Sequence, residues 1–258
     1  MGAALTMELV TRVIGPLQTN VHLVGDPRTR EAIAIDAAIP GLPWMTGELA
    51  ARGWRLALIV STHGHWDHTG ENAALQAWSR EAAAARDALP PSAAEPAAAE
   101  RSLVVVGVDG HVHHPDPSGG AEIAAHPADW YRLTDPQPLF APFPIPPCIP
   151  AAELAEGAAI RFGDVRLDIL HTPGHTEGSV CLVAREAGVL FSGDTLFAGG
   201  WGRVDLPGGD EDAMAASLAR LATLPDGIRV LPGHGSATTI ARERPWLEMV
   251  ARERRLPL

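Results

Sequence analysis

Residues 55–68, RLALIVSTHGHWDH, constrain this chain more than any other stretch. Arg55–Ser61 is a short continuous apolar run that reads as the buried strand of a layered α/β fold, and it passes through Thr62 directly into a histidine cluster. A loop at the C-terminal end of such a strand is a common place for a site. His63 and His65 lie two positions apart, so an extended backbone points both imidazoles the same way. Asp67 and His68 follow at the turn into a helix, and the four side chains can then divide between two adjacent metal ions. Imidazole and carboxylate donors suit Zn, Fe, Mn or Ni. The chain has only 2 Cys, Cys148 and Cys181, which excludes a disulfide scaffold or a Cys-rich zinc site.

Three later segments have the same character. HTPGHTEGS offers His171 and His175, FSGDTLF sets Asp194 just after an apolar strand, and LPGHGS sets His234 just after another. Strands ending at one sheet edge would bring these loops together. The candidate metal ligands are therefore His63, His65, Asp67, His68, His175, Asp194 and His234. They are enough for two ions that share a carboxylate.

The remaining pattern supplies strands in both halves. Met7–Ile14, Val21–Gly25 and Ala32–Asp36 precede a helix at Leu42–Arg52, which Gly53 stops. A helix is expected over Glu71–Ala85, and strands at Leu103–Val108 and Ala121–Ala125. Further strands are expected at Ile160–Phe162, Val165–Leu170, Ser179–Ala184, Val189–Ser192 and Ile228–Leu231. Asp210–Ala222 and Thr238–Arg254 read as helices. Two strand sets, each closed by helices, give two stacked sheets with helices outside. Residues 79–100 hold 10 Ala and three Pro, so 79–120 reads as an Ala/Pro-rich surface insertion in one domain spanning 1–258. Pro136–Pro150 is a connection with seven prolines.

Composition narrows the partners. The net charge of -11 opposes binding to nucleic acid or an anionic membrane. All 20 basic residues are Arg, so no Schiff-base or P-loop lysine is available. No apolar stretch approaches the length of a membrane span, and Met1–Val10 lacks a basic signal-peptide start, so the expected location is the cytoplasm.

The ordered set THxHxDH, HTPGHTxGS, SGD and PGHG resembles the metallo-β-lactamase superfamily, and more narrowly the glyoxalase II-like metallohydrolases. The opening GPLQTNVHLVGD…AIAIDAAIPG, the segment GRVDLPGGD and the tail PGHGSATTIARERP are similar too, so the likeness covers most of residues 7–246. It implies an αββα sandwich: two mixed β-sheets face to face, helices on both outer faces and a metal site at one edge. It also implies that His63, His65 and His175 hold one metal and that Asp67, His68 and His234 hold the other, with Asp194 bridging. Two departures stand out. His68 and His175 are 107 positions apart, longer than the family suggests. Only 24 residues follow His234, so the helical domain with which long glyoxalase II enzymes grip glutathione is not expected here.

The expected activity is that of a metal-dependent hydrolase with two Zn2+, or Fe or Mn in their place. It would cleave an acylglutathione-like thioester or related ester by a metal-bridging hydroxide, with Asp67 binding the second metal and orienting the hydroxide. The alternative is a persulfide dioxygenase with one iron on His63, His175 and Asp194. A nuclease of the same fold would want an added nucleic-acid-binding domain. The expected partner is a small-molecule thioester or ester, with the chain a monomer or homodimer. The other histidines are read as non-ligands: His22, His113, His114 and His126 as ordinary surface or core residues, His111 with His113 as part of the insertion, and His171 as a support for the turn after it. Asp36 is expected to hydrogen-bond near the site, Arg203 to pair with Asp205 under the metal loop or else to face substrate, Cys181 to fill core and Cys148 to be an exposed thiol.

Overall fold

The computed structural model describes residues 7–87, 103–116, 120–137, 141 and 143–257. Strands β1 (Glu8–Ile14), β2 (Thr19–Gly25) and β3 (Glu31–Ile35) form an antiparallel meander, followed by α1 (Leu42–Arg52) and β4 (Arg55–Val60). Next come the short α2 (Trp66–Thr69) and α3 (Asn72–Asp87), then β5 (Val104–Val106), β6 (Val112–His113) and β7 (Glu122–Ala125). A 3-10 turn, Pro127–Asp129, leads into α4 (Trp130–Thr134) and β8 (Ala152–Glu153). The second half holds β9 (Ala159–Phe162), β10 (Val165–His171), β11 (Val180–Ala184) and β12 (Val189–Gly193). It closes with α5 (Glu211–Leu221), β13 (Arg229–Pro232), β14 (Thr238–Thr239) and α6 (Ile240–Glu253).

These strands make two mixed sheets, ordered β1-β2-β3-β4-β7-β8 and β14-β13-β12-β11-β10-β9-β5-β6. Alternation along single strands explains the sandwich. In β3, Ile33 and Ile35 point between the sheets while Ala32 and Ala34 point toward α1 and α3, which bring Met45, Leu49 and Leu75. In β11, Val180, Leu182 and Ala184 face the inter-sheet core. Cys181 and Val183 of the same strand face Met214, Leu218, Leu247 and Val250 of α5 and α6. Both strands are buried on both faces, which is why they read as continuous apolar runs. Each fully buried Leu, Ile or Phe contributes about 1.5–3 kcal/mol to this packing.

The helix starts are locally encoded. Asp210 caps α5 by accepting the Ala213 N–H at 2.8 Å, and Thr239 caps α6 by accepting the Arg242 N–H at 3.2 Å. Gly53 ends α1 in the left-handed region at φ 63.

Several expectations shift. The expected start of the last helix, Thr238–Thr239, is instead the edge strand β14, which pairs with β13, and the helix begins at Ile240. Within 79–120, β5 and β6 extend the second sheet beside β9, and Val105 is buried in the inter-sheet core. Residues 88–102 and 117–119 of that stretch lie outside the described residues. Cys148 is buried rather than exposed, packed near Asn72 under α3, and burial pushes its thiol up to about 11. Cys181 is core, as its strand alternation suggested. No helix among the described residues is long and apolar enough to cross a membrane.

Candidate metal centre

The seven expected ligands come from four loops at one edge of the sandwich. The loop after β4 carries His63 and His65, and α2, which follows it, carries Asp67 and His68. The β10–β11 loop carries His175, Asp194 follows β12, and His234 follows β13. The sharp exit from β12 depends on Gly193, at φ 47, where a Cβ would stand 2.6 Å from Thr62 Oγ1. Gly233 is equally constrained: a Cβ there would run into the Asp194 carboxylate and lie 2.7 Å from His68 Cε1.

The side chains fall into three overlapping groups: His63, His65 and His175; Asp67, His68 and His234; and His63, His68 and Asp194. Asp194 links them. Its Oδ2 is 3.5 Å from His175 Nε2 and 3.5 Å from His234 Nε2, and its Oδ1 is 3.6 Å from His68 Nε2. Asp67 Oδ2 lies 3.2 Å from His234 Nε2 and 3.4 Å from His68 Nε2.

The outward nitrogens of three imidazoles are already engaged. His68 Nδ1 faces Asp36 Oδ2 at 3.0 Å, His175 Nδ1 faces the Arg203 carbonyl at 2.7 Å, and His234 Nδ1 faces the Leu17 carbonyl at 2.9 Å. Each oxygen accepts a hydrogen bond from Nδ1–H, and in the neutral imidazole that leaves Nε2 as an inward lone pair. The lone pairs then converge: His68 Nε2 and His234 Nε2 are 3.1 Å apart, and His65 Nδ1 and His175 Nε2 are 2.8 Å apart. Among the described residues, buried His63 Nε2 and Asp194 Oδ1 have no hydrogen-bond partner. Nitrogens this close repel one another unless a proton or a metal ion lies between them.

The electrostatics make the same demand. Burial opposes charge on His68, but Asp67, Asp194 and Asp36 outweigh it and push its pKa up to about 10. Burial holds His63 well below the ordinary histidine value and takes His65 down to about 3, with neighbouring imidazoles adding to both. Burial also opposes ionisation of Asp67, yet His68 and His234 hold its carboxyl well below the usual range. The site therefore combines neutral imidazoles, an ionised carboxylate and a position that attracts positive charge. A metal ion satisfies all three, because ligand imidazoles must be neutral and carboxylates ionised. The donor set fits hard-to-borderline divalent ions.

Supporting residues separate into legible and hidden ones. Asp36, at φ 60 just past β3, accepts from the Thr62 N–H at 2.8 Å, from Thr62 Oγ1 at 2.9 Å and from His68, as expected of a residue near the site. His171 stacks on His126 with ring centroids 3.9 Å apart and reaches the Glu177 carbonyl at 2.8 Å, so it braces the His175 turn. His22 is core, edge-on to Phe191, and His113 pairs with Glu122 at 2.5 Å. Arg203 and Asp205 form a two-bond pair, 2.7 Å each, on the surface.

Asp129 was missed. Its fully buried carboxylate accepts from Gly64 N–H at 2.7 Å, Thr176 Oγ1 at 2.7 Å and Gly178 N–H at 2.8 Å. It thereby ties the His63–His65 loop to the His175 loop. The backbone carbonyls of Leu17 and Arg203 were missed as well. Nothing in the sequence marked these groups, since one Asp in a turn and two carbonyls have no motif.

A cavity of about 520 Å³ opens over the cluster, bounded by Leu17, Trp66, Tyr131, Phe197, Arg203 and Leu206 among others.

The family model of the metallo-beta-lactamase superfamily matches residues 14–234. An uncharacterized protein of Aquifex aeolicus is 32% identical over 239 residues, covering 90% of this chain and 92% of that protein. A protein of Maricaulis maris named hydroxyacylglutathione hydrolase is 30% identical over 236 residues, covering 91% of this chain and 70% of that one. The structure of TTHA1623, described in a di-iron-bound form, is similar with a TM-score of 0.66 and 31% identity over 91% of this chain and 96% of that one. With the site's geometry and these similarities in agreement, the chain belongs to the metallo-β-lactamase superfamily.

Proposed function

We propose that this chain is a metal-dependent hydrolase that cleaves thioesters, with two Zn2+ as its native ions. The observation that carries the reading is one carboxylate, Asp194, within 3.5 Å of His175 and 3.5 Å of His234, which belong to two different ligand groups. His63, His65 and His175 would hold one ion, Asp67, His68 and His234 the other, and Asp194 would touch both. Such ions make water a nucleophile at neutral pH and polarise a carbonyl oxygen.

The protein's own groups do the rest. Asp36 and the carbonyls of Leu17 and Arg203 fix the ring orientations. Asp67, kept ionised by its neighbours, borders the cavity, where it would hold the second ion and could accept a hydrogen bond from the attacking water. A thiolate leaves without a general acid, which suits a site built from metal ligands. The similarity to a protein named hydroxyacylglutathione hydrolase over 91% of this chain supports the thioester reading.

The test is hydrolysis of S-lactoylglutathione and simple thioesters by protein of known metal content, with oxygen uptake on a persulfide measured alongside. Thioester cleavage with about two metals per chain supports the proposal. Oxygen uptake with one iron and no thioester cleavage sinks it in favour of a mononuclear dioxygenase. Asp67→Asn at matched metal content should lower turnover about a hundredfold and leave the Michaelis constant nearly unchanged. Equal turnover would remove the role given to Asp67.

A further inference from the structure

The cavity over the metal ligands has a chemical character that the ligand set does not dictate. Leu17 of the β1–β2 turn and Trp66 of α2 line it. Tyr131 of α4, Phe197 and Leu206 also line it. Leu17 and Tyr131 are 50% and 52% exposed, a large outlay of apolar surface beside a reaction centre. Trp66 packs edge-on against Phe143 at 5.7 Å, which holds its ring in place.

The charges around the cavity are already matched. Arg132 gives Nη2 to Glu177 at 2.7 Å and to the Pro207 carbonyl at 2.8 Å, its Nε faces Asp129 at 3.5 Å, and its guanidinium lies over Tyr131. Arg203 is engaged twice by Asp205. Asp135 adds a negative charge to the lining. Both arginines among the described lining residues therefore already face carboxylates, and the chain as a whole carries -11. A polyanionic thiol carrier would find little to hold it here. An uncharged hydrocarbon arm would find a ready wall.

We infer that the substrate is an acyl thioester whose acyl arm is apolar, about four to eight carbons long, lying along Leu17, Trp66, Phe197 and Leu206 with its carbonyl over the metal ligands. The inference rests on the thioester-hydrolase reading above. Burying each added methylene should raise kcat/KM about two- to fourfold until the cavity is filled.

The experiment uses N-acetylcysteamine thioesters from acetyl to octanoyl, with S-lactoylglutathione as the polar comparison. The expected result is a rise of about tenfold or more from acetyl to hexanoyl, carried mainly by KM, with the hexanoyl thioester preferred to S-lactoylglutathione. Leu206→Asp, a half-buried loop position outside the ligand set, should flatten the series while the metal content stays unchanged. A second readout needs no turnover: the ketone analogues of the acetyl and hexanoyl thioesters, with CH2 for sulfur, titrated calorimetrically into the protein. The longer ketone should bind at least tenfold tighter with a more negative heat-capacity change. Thioester cleavage that is flat in chain length, or that favours S-lactoylglutathione, overturns the apolar arm and leaves the hydrolase reading standing. Equal binding of the two ketones does the same. Cleavage of no thioester overturns both.

Discussion

Asp36 Oδ2 stands 3.0 Å from His68 Nδ1, and both side chains are almost wholly buried. The same carboxylate takes two donors from Thr62, so it cannot swing away. His68 is thereby held with Nε2 toward Asp67, Asp194 and His234. A buried carboxylate behind a ligand imidazole fixes its tautomer and raises its basicity. Asp36→Ala should weaken metal affinity about 10- to 100-fold. Asp36→Asn should weaken it less, because the amide oxygen can still accept from Nδ1. Chelator competition measures both; unchanged affinity in both variants would show that Asp36 does not hold the ring.

Asp194 reaches histidines of two ligand groups, whereas His234 belongs to one. Asp194→Ala should therefore lower occupancy at both positions. His234→Ala should remove about one ion of two. Metal per chain, measured on protein purified without added metal, separates the variants. An iron content of one, unaffected by the loss of His234, would contradict the two-centre arrangement.

Asp129 joins two ligand loops that are far apart in the chain, through Gly64 on one side and Thr176 and Gly178 on the other. Asp129→Ala strands two buried backbone donors at once, Gly64 N–H and Gly178 N–H, while Thr176 Oγ1 keeps Ser179 Oγ at 2.8 Å. Each costs roughly 1–3 kcal/mol when left unpaired, so unfolding stability should fall by about 3 kcal/mol or more. Metal affinity should fall with it, because His65 and His175 lose their common anchor. Denaturant titration and chelator competition check the two effects. A stable variant with weakened metal binding would mean that the staple serves the site more than the fold; a variant unchanged in both would refute it.

His22 gives a pH dependence of known sign. Burial, far from outweighed by Asp36, pulls its pKa down from 6.5 to about 4. Between these values the unfolded chain binds a proton and the folded chain does not. The contribution is fully present above pH 6.5 and is lost as the pH falls toward 4. Over about 2.5 pH units this amounts to about 3 kcal/mol. His22→Gln should flatten the stability-against-pH curve in that window relative to wild type and leave the curve above pH 7 parallel. Parallel curves throughout would show that His22 does not titrate as its burial implies.

Reading the residues alone reached most of the framework. Alternating and continuous apolar runs located β3, β4 and β11, because burial on both faces of a central strand leaves no room for polar side chains. His63, His65, Asp67 and His68 were legible because their spacing is local and histidine is a costly residue to cluster without a use. His175, Asp194 and His234 were legible because each follows an apolar strand at a glycine-rich turn. Tertiary structure alone decided the rest. Asp129 acts across separations of 47 to 65 residues, and its sequence neighbours carry no trace of Gly64 or Thr176. The carbonyls of Leu17 and Arg203 are acceptors that every residue type possesses, so only the path of the backbone selects them. The apolar wall of the cavity is assembled from a turn, two helices and a loop, and its composition exists only once those four segments meet. Short-range pattern records what a residue must bury or bind; which distant group it meets is set by packing between the sheets.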